Sequence, residues 1–164
     1  MNKKLAYGGI GTALSVVFLA LCAYLPTGRA ASLFLSSLVS YIIACMTDKK
    51  TALMMFVASA VLSVVISPAG MLSVAAVYII CFGNYPILKN YIDLKPAVVN
   101  IFLKFVCYTI YALVTYTVFL KVLNIKITYN VAILYILGAF LFAFYDFLIA
   151  YTGKYALGIL YKRF

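Results

Sequence analysis

Six apolar stretches, each close to the length that crosses a bilayer, constrain this chain more than any other feature. A hydrocarbon core takes ~20 residues of helix, the conformation that satisfies every backbone donor and acceptor within one segment. The stretches cover 5–25, 31–46, 51–67, 71–88, 96–120 and 131–151. Turn formers or charges separate them: Pro26 and Gly28 in PTGRA, then Asp48-Lys49-Lys50, SPAG after the third, and NYP near the end of the fourth. The second and third are short and joined by three charged residues, which makes an antiparallel hairpin. The tail GKYALGILYKRF is apolar enough to prolong the sixth and ends in a basic anchor. Lys3 and Lys4 resemble the start of a signal peptide, but the run behind them is long and no convincing cleavage site follows.

Composition agrees with this patterning. Hydrophobic residues make up 68% of the 164 and charged ones 10%, against ~25% charged in a soluble domain. The expectation is an all-α integral membrane protein, a compact six-helix bundle forming one transmembrane domain over 1–164. Thirteen Lys and Arg stand against three Asp. The basic residues lie between and at the ends of the apolar runs and form no stripe, so they point to topology and anionic headgroups, not to nucleic acid. Nine of them fall on one side (Lys3, Lys4, Lys49, Lys50, Lys89, Lys95, Lys154, Lys162, Arg163) and three on the other (Arg29, Lys121, Lys126). That asymmetry places both termini in the cytoplasm and the chain in the cell membrane.

Catalytic and metal chemistry find little footing. Cys22, Cys45, Cys81 and Cys107 all fall inside spans with no CxxC pair, and the chain has no His. Free Cys in a span behaves as a small hydrophobe, and zinc or haem ligation lacks its donors. Paired carboxylates and a Ser/His constellation are also missing. No enzyme, no metal and no cofactor are expected.

One charge remains inside a span. Lys104 sits in NIFLKFVCY, where a charge at mid-bilayer costs ~2.5–3.5 kcal/mol. The acid inside a span is Asp146, in AFLFAFYDFLIAY. At ~1.5 Å per residue, Lys104 lies about 12 Å from the start of its span and Asp146 about 8–12 Å from the end of its own. Consecutive antiparallel spans are neighbours, so the two are expected to pair. Asn100 is one turn away on the same face. Asn84 lies at similar depth in the fourth span, where Pro86 frees the Phe82 carbonyl. This cluster reads as a clamp on helix register, a coupling element toward a partner, or a proton relay.

The first span opens YGGIGTALS. Gly8–Thr12, Gly9–Ala13 and Gly11–Ser15 are small-xxx-small pairs that let another helix approach closely. They serve packing within the chain or docking of another membrane protein.

In layout the chain resembles the substrate-binding S components of energy-coupling factor (ECF) transporters. The features that carry the likeness are a basic N-terminus, a small-residue first helix, a Pro/Gly outer loop, a charged hairpin between spans 2 and 3, and six short spans. The family's AxxxA-type docking motif corresponds to Gly9 and Ala13, or to Gly8 and Thr12, with Gly in place of the first Ala. The resemblance implies a membrane-embedded subunit that binds a small molecule such as a vitamin and docks on a T component driven by two ATPases. It places a ligand pocket toward the outer face under the loop after span 1. Arg29, with its bidentate guanidinium, and Thr27 lie in that loop. Tyr78, Tyr116 and Tyr135 lie in the outer halves of their spans and are further candidate lining residues. Arg29 reads equally as an interfacial anchor. Cobalt or nickel is a poor fit without His. Two other readings stay open. One is a scaffold subunit of cell-shape or wall-synthesis machinery. The other is a stand-alone secondary transporter, although no internal repeat is visible. A ligand-binding subunit should gather polar and aromatic residues inside its outer half, and a scaffold should fill it with Leu, Ile and Val.

Overall fold

The computed structural model describes residues 2–25, 27–67, 72–121 and 130–163. Pro26, residues 68–70 of the SPAG break, Met71 and Lys126 lie outside them. The described chain is helical throughout, with no strand. The helices are α1 (Asn2–Tyr24), α2 (Arg29–Met46), α3 (Lys49–Ile66), α4 (Leu72–Val77), a π-helical turn (Tyr78–Phe82), α5 (Tyr85–Ile92), α6 (Ala97–Lys121) and α7 (Val131–Arg163). Counting 72–92 as one composite, six of them are long and apolar enough to cross a membrane.

The chain divides into two compact units, Met1–Tyr91 and Ile92–Phe164. In the first, Gly28 adopts φ 91°, a left-handed conformation that glycine takes without strain, and turns the chain into α2. Asp48 precedes α3, and its carbonyl accepts from Ala52 N at 3.0 Å. Lys4 Nζ then ties the start of α1 to the start of α3, donating to both Asp48 oxygens at 2.9 and 2.8 Å. A Cβ built on Gly8 would lie 2.8 Å from Thr51 Cγ2, and one on Gly11 would lie 3.1 Å from Met55 Sδ and 2.7 Å from Ile43 Cγ1. The pairings 4/48, 8/51 and 11/55 keep a nearly constant offset, so α1 and α3 run parallel and in close contact, with α2 returning between their ends. Leu19, Cys22, Leu33 and Tyr78 form one core cluster, and Ala44, Ala52 and Ile87 another.

The fourth span, expected over 71–88 with NYP near its end, runs over 72–92 in three helical pieces. Gly83 N reaches Tyr78 O at 2.7 Å, an i→i+5 bond, and the helix breaks at residues 83–84 before restarting. Pro86 explains the break, since it has no N–H for the Phe82 carbonyl and is tolerated in the first turn of a new helix. Gly83 is required here, because a Cβ would lie 2.6 Å from the Phe56 ring. Asn90 then anchors α5, donating to the Ala44 carbonyl at 3.0 Å.

The second unit pairs α6 with α7 in antiparallel fashion. Tyr108 OH donates to the Tyr135 carbonyl, and a Cβ on Gly138 would lie 2.8 Å from Tyr108 Oη. The Tyr108 ring also meets those of Tyr135 and Phe142, with centroids 5.1 and 5.4 Å away. The tail prolongs the sixth span, so α7 reaches 33 residues, about 50 Å at 1.5 Å per residue.

Candidate functional site

Three features stand apart from ordinary packing. The first is the interior of the unit over 1–91. Ser15 of α1, Ser36, Ser37 and Ser40 of α2, and Ser59 and Ser63 of α3 are buried, together with Tyr78. Ser59 donates its one proton to the Phe56 carbonyl at 2.9 Å. The Tyr78 hydroxyl, 2.8 Å from Ser59 Oγ, is therefore the donor in that contact. Ser36 Oγ reaches the Ser15 carbonyl at 3.5 Å, and Ser40 Oγ donates to the Ser36 carbonyl at 3.2 Å. The Ser15 hydroxyl is enclosed and has no hydrogen-bond partner among the described residues, a condition that costs about 1–3 kcal/mol.

The second is the face of α1. Its small residues divide between two jobs. Gly8, Gly11 and Ser15 turn inward, and Thr12 Oγ1 bonds the Gly8 carbonyl at 2.9 Å. Gly9 and Ala13 are exposed, and a Cβ on Gly9 would meet nothing within 4 Å. Of the two docking registers, Gly9–Ala13 is the one left facing outward. Beside it a groove of about 230 Å³ runs between Leu5, Gly9 and Thr12 of α1 and Thr51, Met54 and Ala58 of α3.

The third lies in the second unit. Lys104 Nζ contacts Asp146 Oδ2 at 2.9 Å and, at the same distance, Asp93 Oδ1. Asn100 Nδ2 donates to that same Asp93 oxygen at 3.3 Å. The cluster therefore holds two carboxylates around one ammonium, where sequence reasoning gave Lys104 one acid. Asp93 was missed because it lies in the turn before α6, outside any span. Its signal was the fold-back at YIDLKP, which brings the turn within reach of a lysine stem lying along the helix. Asn84 belongs to the first unit, where its carbonyl accepts from Leu88 N at 3.2 Å and starts α5.

The outer-loop candidates are placed as follows. Thr27 and Arg29 are exposed in the first unit, and the Arg29 carbonyl accepts from Cys22 Sγ at 3.4 Å. Tyr78 belongs to the same unit but is wholly enclosed. Tyr116 and Tyr135 belong to the second unit; Tyr116 is exposed, and Tyr135 OH lies 3.1 Å from Thr109 Oγ1. Among the described residues no group of three or more His, Cys, Asp or Glu is placed to hold a metal ion.

No family model matches the chain, and neither a curated protein nor a solved structure does.

Proposed function

We propose that the chain is a membrane-embedded substrate-binding subunit for uptake of a small molecule, energised by a separate ATPase module. It would sit in the cell membrane with both termini cytoplasmic. The observation that carries this reading is the character of the first unit's interior. Where a scaffold would be filled by Leu, Ile and Val, α1, α2 and α3 bury serines, one with an unmatched hydroxyl, beside the Ser59–Tyr78 pair. A second support is the outward Gly9–Ala13 face, which suits close contact with a helix of another membrane subunit. In this reading the ligand occupies the outer half, with Arg29 and Thr27 at its mouth. The Asp93–Lys104–Asp146 cluster holds α6 and α7 in register.

The test is gentle solubilisation of the tagged chain from native membranes, followed by identification of what accompanies it. Two ATPases and a transmembrane coupling subunit are expected, and a thermal-shift screen of vitamins and precursors on that complex should then find a stabilising ligand. Wall-synthesis proteins as companions would replace this reading with the scaffold. Purification without companions would leave a solitary carrier.

A further inference from the structure

The groove between α1 and α3 has a chemically distinct end. Lys3, Lys4, Lys49 and Lys50 all lie at the N-terminal tips of these two helices and are all exposed, and Asp48 is the acid in the same stretch. Four lysines against one aspartate leave three positive charges there. Lys4 is held on Asp48, and Lys49 Nζ lies 5.0 Å from the Tyr91 ring centroid. Lys50 is one turn before Met54, on the exposed rim of the groove, and Lys4 is one turn before Gly8. Because α1 and α3 are parallel, the positive ends of both helix dipoles point the same way and reinforce the lysines. Beyond this charged end the groove becomes apolar. It runs from Leu5 to Thr12, about 10 Å of helix, with Leu5 and Met54 exposed on its rims.

A cluster of cations at one end and an apolar slot behind it suit a molecule with an anionic head and a hydrocarbon chain. We propose that this groove binds an anionic phospholipid, with its phosphate at Lys50 and Lys4 and one acyl chain lying along Leu5, Gly9, Met54 and Ala58. The proposal requires that α1 and α3 cross a bilayer; it does not depend on the transport reading. The lipid occupies the groove in the chain by itself. A partner helix seated on Gly9 and Ala13 would press on it or displace it.

Native mass spectrometry of the full chain, after delipidation and addition of phosphatidylglycerol or phosphatidylcholine, tests this. One phosphatidylglycerol should be retained in preference to phosphatidylcholine. Lys50→Gln should lower phosphatidylglycerol retention about fivefold, the factor one lysine contributes at a membrane surface, and leave phosphatidylcholine unchanged. Gly9→Leu, which fills the groove where a side chain meets no neighbour, should lower retention of both lipids. Glycerol phosphate, which has the charge but no chain, should not compete. Equal retention of the two lipids, indifference to both variants, or competition by glycerol phosphate would each overturn the proposal. Loss of a co-purifying membrane subunit in Gly9→Leu, with lipid retention untouched, would overturn the lipid and keep the docking face. Lipid retention by a chain that purifies without ATPases would do the reverse.

Discussion

At Lys104 two acids share one ammonium, and this changes what a substitution there should do. Lys104→Gln leaves Asp93 and Asp146 facing the space it vacates. Their ion pairs with Lys104 are partly shielded, so the loss should be about 1–3 kcal/mol, between the values for exposed and buried pairs. Asp146→Asn should cost less, under about 1 kcal/mol, since Asp93 still neutralises the lysine. Thermal unfolding of the two variants in one detergent compares them, and equal losses would mean that Asp93 contributes nothing. A simple exchange, Lys104→Asp with Asp146→Lys, should fail to restore stability, because the new aspartate would meet Asp93. The Lys104–Asp146 contact was legible in the sequence, since depth along two antiparallel spans needs only the rise per residue. Asp93 was not, because counting depth at Cα ignores a four-carbon stem that leans back toward the helix start.

Helices were the most legible elements. The expected 31–46, 51–67 and 96–120 meet α2 (Arg29–Met46), α3 (Lys49–Ile66) and α6 (Ala97–Lys121) within a few residues, because a long apolar run bounded by charge has few alternatives. The π-helical turn was not legible. Hydropathy is blind to one additional residue per turn, and Pro86 signals only that some break must come before it. Nor could spacing alone decide which small residues of α1 face inward. All three glycines fall within little more than one turn, and only the neighbours Thr51, Ile43 and Met55 separate their roles. Gly11→Ala should destabilise by about 1–3 kcal/mol through overpacking, and Gly83→Ala should do likewise against Phe56. Gly9→Ala should gain up to about 1 kcal/mol from helix propensity. Melting temperatures of the delipidated chain in detergent should rank Gly9→Ala above the native chain and the other two below it; destabilisation by Gly9→Ala there would mean that something other than lipid covers its face.

At the scale of the whole chain, six helices are long and apolar enough to cross a membrane, and the proposed orientation with both termini in the cytoplasm has a direct test. A membrane-impermeant maleimide should leave Lys3→Cys and Lys154→Cys unlabelled in intact cells and label both in inverted vesicles, with Arg29→Cys behaving oppositely. Labelling of either terminal position in intact cells would reverse the orientation. The first unit also sets an order of events during synthesis. Its parallel pair joins helices that are not consecutive, and the Lys4–Asp48 tie spans 44 residues. A ribosome adding about 5–20 residues per second needs roughly 2–9 s to make that stretch. Through that interval α1 runs ahead of α3, the helix that Gly8 and Gly11 are shaped to receive. The newborn α1 therefore meets lipid, or another membrane protein, before it meets α3.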